Sequence, residues 1–336
     1  MRVGFFCRYV PFELILACGG EPLQMQLRGP ELRGDASYFP VPFCATAKFF
    51  VDWLQSTGRD SLDVVVFAGS CDAARRLYEV SQRLFADKIP LFLLEVPHHV
   101  DKMTLARFAE NLRLLAFNLG NLSGITPLAV AERLLEITLS SLKWRSRWSE
   151  LFFKGSVYGD TLRKLNFLDL PFADAPPGVR TGIPILLSGG HIFIQEVTTL
   201  LEESGFLVFE DSPYAMRKVL SEDLRKLDVA AERDPFLALS ELYLRSLLPC
   251  PRVNDLRRLD MLKKVITSLG ILGIVYFYPK FCDFSLYELP FLKKELSLPL
   301  LAIDYDTSQE EAPRWRIRIE AFYESLSGHA WKRPAS

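Results

Sequence analysis

Three of the six cysteines in this 336-residue chain stand where α/β proteins do chemistry. Cys71 follows the run DVVVFAG and precedes DAARRLYEV; Cys282 follows GILGIVYFYP and precedes SLYELPFLKK; Cys44 precedes ATAKFFVDWL. Each reads as a residue at or just before a helix N-terminus. There the unpaired N–H groups and the macrodipole lower a thiol's pKa and favour thiolate, the form that binds metal or attacks as a nucleophile. For any one cysteine taken alone, a buried apolar filler is the competing reading. The chain has no CxxC pair, which disfavours a thioredoxin-like site or a local zinc knuckle. Thiols scattered along the chain without neighbouring histidines suit an iron–sulfur cluster in an interdomain cleft better than a structural zinc, with the metal itself left open.

The elements that must position these thiols are legible as alternation. Short apolar runs recur: VGFF, DVVVFAG, PLFLLEVP, PILLSGG, FLVFED, GILGIVYFYP and LPLLAIDYD. Each has the length of a buried strand and is apolar on both faces, as parallel strands covered on both sides are. Helical patterns lie between them, among them ATAKFFVDWLQSTG, CDAARRLYEVSQRLFA, FIQEVTTLLEESG, RRLDMLKKVITSLG and SLYELPFLKKELS. The pattern occurs twice, around a long helical stretch from Thr126 through Trp148 to about Leu165 and a linker, FADAPPGVRTG, dense in Pro and Gly. The expected fold is α/β: two Rossmann-like (flavodoxin-like) doubly wound parallel-sheet domains with an intervening helical region. The expected boundaries are residues 1–125, 126–180 and 181–336.

Composition narrows the function classes. Hydrophobic residues make up 49% and charged residues 24%, and the formal net charge is -1, so no electrostatic case exists for a nucleic-acid or membrane-surface binder. LILACG near the N-terminus has the look of a lipoprotein cleavage box, but Arg8 and Glu13 interrupt the apolar run that a secretory signal needs. GILGIVYFYP falls short of the roughly 20 residues that cross a bilayer. A cytoplasmic location is expected, and structural disulfides are rare there.

In order along nearly the whole chain, GFFCRYVPFELILACGGEP, GSCDAARR, VPHHVDK, PILLSGG, LPCPRVNDLRR, YPKFCDFSLYELPFLKKEL, PLLAIDYD and RIRIEAFYESL resemble the 2-hydroxyacyl-CoA dehydratase family. Benzoyl-CoA reductase subunits and double-cubane-cluster proteins are its relatives. The resemblance implies a [4Fe-4S] cluster held by Cys44, Cys71 and Cys282, with the fourth iron site open to water, a sulfur species or the thioester carbonyl. It implies an ATP-dependent activator with its own iron–sulfur cluster that passes one electron, making a ketyl radical anion of a 2-hydroxyacyl-CoA from which water is eliminated. A similar second subunit, in a homo- or heterodimer, is implied too. No P-loop sequence is present, so ATP use falls to the partner. A double-cubane [8Fe-9S] cluster, with Cys7 and Cys250 as second-tier ligands, is the alternative, because about six thiolates would be needed and six are present. Cys18, within the expected helix after VPFEL, does not suit that role. The chain starts close to GFFC, whereas family members carry a further N-terminal helical segment that walls the substrate channel. This leaves a non-catalytic electron-relay or scaffold subunit as another reading.

Other residues carry weaker expectations. Glu13 is the carboxylate placed for proton transfer near the cluster, against a reading as a dipole-stabilising helix carboxylate. His98 and His99 follow PLFLLEVP; a catalytic or CoA-contacting imidazole, with His98 first, competes with a hydrogen-bonded structural histidine. Ser188, Gly189 and Gly190, leading to His191, end a strand and open a helix, so their N–H groups are candidates to receive a CoA phosphate. Arg217, Arg257 and Arg258 are further phosphate candidates, against a reading as ordinary solvated helix arginines.

Overall fold

A computed structural model describes residues 1–7, 9–24, 36–55, 61–150, 181–190, 194–211, 234–246, 257–306 and 311–328. They form two compact units. The first draws on Met1–Arg28, Gly34–Leu151 and Met216–Val253, the second on Gly29–Arg33, Phe152–Ala215 and Asn254–Ser336.

The first unit is built on a four-stranded parallel sheet of β1 (Arg2–Phe5), β2 (Glu21–Gln24), β3 (Val64–Ala68) and β4 (Leu91–Leu94), in the order β2-β1-β3-β4. The central strand β3 is VVVFA, every residue buried, which is the burial a strand has when helices cover both faces. The helices are α1 (Phe12–Ala17), α2 (Ala45–Trp53), α3 (Asp72–Phe85), α4 (Lys102–Ser123) and α5 (Pro127–Glu150). In α3 the residues buried are Ala74, Leu77, Ser81 and Phe85, one face at helical spacing. Asp101 and Thr104 form a capping box on α4, each backbone N–H bonded by the other's side chain at 2.8 Å. Gly124, at φ 74, closes the helix in the left-handed region that glycine enters without strain.

The second unit is built on a second four-stranded sheet. It comprises β5 (Ile183–Gly189), β6 (Phe206–Asp211), β7 (Gly273–Pro279) and β8 (Leu300–Tyr305), all parallel in the order β6-β5-β7-β8. Its helices are α6 (Ile194–Glu203), α8 (Arg257–Leu269), α9 (Asp283–Glu295) and α10 (Glu311–Gly328). Leu186, Ile274 and Tyr276 from the sheet pack with Leu262 of α8 and Leu289 and Leu292 of α9 in one buried cluster.

The remaining helix, α7 (Pro235–Glu241), lies within the stretch the sequence assigns to the second domain but packs on α4 and α5 of the first unit. Asp234 caps it through the N–H groups of Phe236 and Leu237, both at 3.1 Å, with Pro235 at the first helical position where a missing N–H costs nothing. The same Asp234 accepts from Arg113 of α4 at 2.6 Å, and the Arg113 guanidinium lies over the Phe236 ring at 5.0 Å. Ser240 donates to the Leu105 carbonyl at 2.8 Å.

Two parallel α/β sheets flanked by helices are the expected fold class. The structure adds β2, a four-residue edge strand, EPLQ, too short and polar to show as a run. Most of the expected linker, and the expected helix beyond residue 150, lie outside the described residues. Among the described residues no single helix is long and apolar enough to cross a membrane; α4 and α5 pass such a test only as a pair bent by 112°.

Candidate functional site

The strand order of the first sheet makes a topological switch point between β1 and β3. From there the chain winds outward in both directions, and the loops beyond the two carboxyl ends diverge to leave a crevice. Cys7 lies two residues past β1 and Cys71 three past β3. Their loops meet: the Cys7 Sγ is 3.3 Å from the Ser70 Oγ, both buried. Cys71 is the N-cap of α3, extended at φ -152, ψ 168, and its Sγ accepts the Ala74 N–H at 3.3 Å. The sulfur thus takes the place that a Ser or Asp oxygen fills in an ordinary cap. Arg75, one turn into α3, braces this loop by donating to the Gly69 carbonyl at 3.3 Å and to Glu95 at the end of β4 at 2.8 Å. Cys44 is the N-cap of α2, which packs against α3, and makes no side-chain cap bond. One turn further on the same helix, Lys48 is buried, its Nζ donating to the Val41 carbonyl at 2.9 Å.

The second sheet repeats the plan, with its switch point between β5 and β7. Cys282 is three residues past β7, the same offset as Cys71 past β3, and is the N-cap of α9. Phe281 before it holds φ 60, the single positive φ at a non-glycine among the described residues. Such a conformation costs about 1–3 kcal/mol and collects at functional turns. At the end of β5, Ser188 is fully buried. Gly189 has φ 105, and a Cβ there would collide with the Phe277 carbonyl oxygen of β7. Its glycine is therefore required by strand packing whether or not a phosphate binds. Tyr305 donates to the Gly190 carbonyl at 3.2 Å. His191, where the expected phosphate cradle continues, lies outside the described residues, as do Cys250 and Arg217; the side chains of Arg257 and Arg258 are likewise outside them.

Glu13 is fully buried in α1 and engaged at both oxygens: Ser141 of α5 donates to Oε1 at 2.6 Å and Tyr243, in the π-turn after α7, to Oε2 at 2.7 Å. The arrangement ties three parts of the first unit together. His98 and His99 are exposed in the loop after the edge strand β4, and His99 faces Asp101 at 3.5 Å. Cys18 caps the C-terminus of α1, fully buried, its Sγ donating to the Ala116 carbonyl at 3.5 Å. Burial pushes this thiol up to about 12, against a smaller opposing pull from Arg133. Ser70, Arg75, Lys48, Ser141 and Tyr243 were not legible as site residues, because each gains its meaning from a neighbour the sequence does not place beside it. Among the described residues no group of three or more His, Cys, Asp or Glu stands ready to hold a metal ion.

Comparison with known proteins adds three findings. A family model described as 2-hydroxyglutaryl-CoA dehydratase, D-component, matches residues 7–155 and 158–326. The chain is 21% identical to the (R)-phenyllactyl-CoA dehydratase beta subunit of Clostridium sporogenes, over 96% of this chain and 91% of that one. A solved structure of the SBP FpvC with Ni2+ from P. aeruginosa aligns over 99% of both chains at 14% identity, with a TM-score of 0.27, too low to bear on fold or function.

Proposed function

Because the chain belongs to the 2-hydroxyglutaryl-CoA dehydratase D-component family, we propose that it is the iron–sulfur subunit of a 2-hydroxyacyl-CoA dehydratase-type lyase. In this reading Cys44, Cys71 and Cys282 hold a [4Fe-4S] cluster. The observation that carries it is the shared placement of the three thiols. Each is a helix N-cap, and two stand at the same offset past the switch-point strands of their units. The donor set fits the group: three soft sulfurs at positions where helix N-termini favour thiolate, with no imidazole among them. When bound, the cluster supplies a low-potential electron to the acyl-CoA thioester, which makes loss of the hydroxyl feasible.

The chain's own residues have definite tasks in this scheme. The Ala74 N–H of α3 bonds the Cys71 sulfur, and the dipoles at the N-termini of α2 and α9 favour the thiolates of Cys44 and Cys282. The Arg75–Glu95 pair and its bond to Gly69 fix the turn that presents Cys71. The buried Cys7–Ser70 contact ties together the loops that follow β1 and β3. Glu13 contributes as a brace in its present bonding, and a proton-transfer role requires the Ser141 or Tyr243 bond to open first. His98 is available only to a ligand that reaches the exposed loop after β4. A phosphate of CoA is assigned to the turn after β5, at the backbone of Gly189 and Gly190. The reductant is an ATP-dependent activator, and a similar second subunit completes the enzyme, both in the cytoplasm.

The test is to purify the chain anaerobically and count iron and sulfide. About four irons per chain are expected, about eight would indicate a double cubane, and none would remove the cluster. Cys71→Ser and Cys282→Ser should each lose iron with far-UV circular dichroism unchanged, since serine is itself a good N-cap. Iron retained in either variant strikes that residue from the ligand set.

A further inference from the structure

Lys48 is the one lysine or arginine buried among the described residues, at 4% exposure. Its surroundings do little for a charge. An ammonium has three protons to donate; Lys48 gives one to the Val41 carbonyl at 2.9 Å, and no described carboxylate pairs with it. Other charges in the chain are better served. The buried Glu13 is bonded by Ser141 and Tyr243, and Lys280 lies beside both Asp304 and Asp306. The place of Lys48 on its helix is unfavourable too. It stands in the second turn of α2, toward the positive end of the macrodipole, where an anion is favoured and a cation is not. A buried cation costs free energy unless an anion offsets it. An apolar side chain of similar length would fill the space without that cost.

The position of Lys48 shows where such an anion belongs. It is four residues after Cys44, the N-cap of α2, and residues so spaced share one helix face. Long side chains on a helix run back toward its N-terminus. The bond to Val41, three residues before Cys44, shows that Lys48 does so. The ammonium is thus held against the turn that carries the Cys44 thiol. The Cys44 sulfur takes no cap bond of the kind that Ala74 gives Cys71, so a nearby positive charge does at Cys44 what a helix N–H does at Cys71. We propose that Lys48 is the counter-charge of the cluster site, a buried ammonium that offsets the Cys44 thiolate and makes the site easier to reduce. The inference rests on the reading of Cys44 as a cluster ligand, and deepens it by naming a residue that sets how readily the site accepts an electron. Uptake of one electron makes the site more negative by one charge and breaks no bond, and a fixed buried cation favours the more negative state.

A redox titration of the full chain tests this, with the protein purified anaerobically and reduced stepwise with titanium(III) citrate. Each titanium(III) gives one electron and becomes titanium(IV), and electron paramagnetic resonance counts the reduced cluster. Lys48→Met should keep about four irons and bind the electron about tenfold less well, a midpoint about 59 mV lower. Lys48→Gln keeps an N–H donor without the charge and should shift by the same amount; it decides alone should circular dichroism show that Lys48→Met does not fold. Lys48→Arg keeps the charge and should stay within about twofold of the unaltered chain. Lys88→Met removes an exposed lysine of the same unit and should leave the midpoint where it was. If Lys48 only braces the Val41 carbonyl, the neutral variants titrate with the unaltered chain, and that result overturns the proposal. A shift shared by Lys48→Arg, or one of equal size in Lys88→Met, does the same. Iron lost from the neutral variants but kept by Lys48→Arg supports it, because charge divides them; iron lost from all three overturns it. An unaltered chain without iron sinks the cluster reading and this inference with it, whereas about four irons and unshifted midpoints sink this inference alone.

Discussion

Cys18 offers the sharpest test of which thiols are open to metal. Its sulfur is fully buried and bonded to the Ala116 carbonyl, and burial carries its pKa from an ordinary 9.0 to about 12. The folded chain therefore keeps the proton through a range in which the unfolded chain gives it up. A raised pKa contributes stability that is fully present below the unfolded value and is lost as pH rises toward the folded one. The native state binds the extra proton between these limits, so every pH unit crossed removes up to about 1.4 kcal/mol. From about pH 9 to about pH 11 the loss attributable to Cys18 comes to about 2 kcal/mol. Cys18→Ala deletes this titration and should flatten the alkaline fall in stability by that amount, although it lowers stability at neutral pH by leaving a small cavity. Urea unfolding of both proteins along that pH range reads the difference as a closing gap between their midpoints. Two curves that fall in parallel would refute the reasoning, because Cys18 would then titrate like an exposed thiol. The consequence reaches the cluster: a double cubane draws on about six thiolates, and a thiol held neutral this firmly is not one of them. Cys18→Ala should accordingly leave the iron count unchanged.

Three further outcomes follow from local geometry. Tyr243→Phe removes a side-chain donor to the buried Glu13 and should cost about 1.5–3 kcal/mol, seen as a lower thermal midpoint; an unchanged midpoint would mean that water replaces the hydroxyl. Phe281→Gly should not destabilise, because relief of about 1–3 kcal/mol of left-handed backbone strain exceeds the roughly 0.5–1 kcal/mol of added chain entropy. A clear fall in its midpoint would show that the half-exposed ring holds the turn. Gly189→Ala combines a positive φ with a collision at the Phe277 carbonyl and should lower the yield of folded protein sharply, whereas Gly124→Ala, with open space around it, should cost only the φ strain.

The strands that read most clearly from sequence are those buried on both faces. VVVFA and GIVYFYP are apolar at nearly every position, and no other element of their length would hide so much hydrocarbon. EPLQ escaped because an edge strand needs only its backbone to pair, and a four-residue polar run with a proline carries no side-chain period. The capped thiols were legible because a strand-to-helix turn is local: a few residues on either side of Cys71 or Cys282 define it. What surrounds them was not. Glu13 meets Ser141 and Tyr243 from 128 and 230 positions away, and nothing short-range marks either hydroxyl as its partner. The docking of Pro235–Glu241 on α4 was hidden for the same reason, since it depends on Arg113 meeting Asp234 across the chain.

The two units share a plan, and the places where they differ bear on what each supplies. Both sheets wind out from a central pair, and both put a Cys-Asp step three residues beyond the second strand of that pair, so Cys71 and Cys282 are equivalent by position. Cys7, two residues past β1, contacts Ser70 in the first unit; the same offset past β5 falls on His191, outside the described residues, while Gly189 at the end of β5 lies too close to β7 to admit a side chain. Cys44 of α2 adds a further thiol to the first unit. In the function proposed above, the first unit supplies Cys44 and Cys71 and the second supplies Cys282, with the turn after β5 proposed for the CoA phosphate.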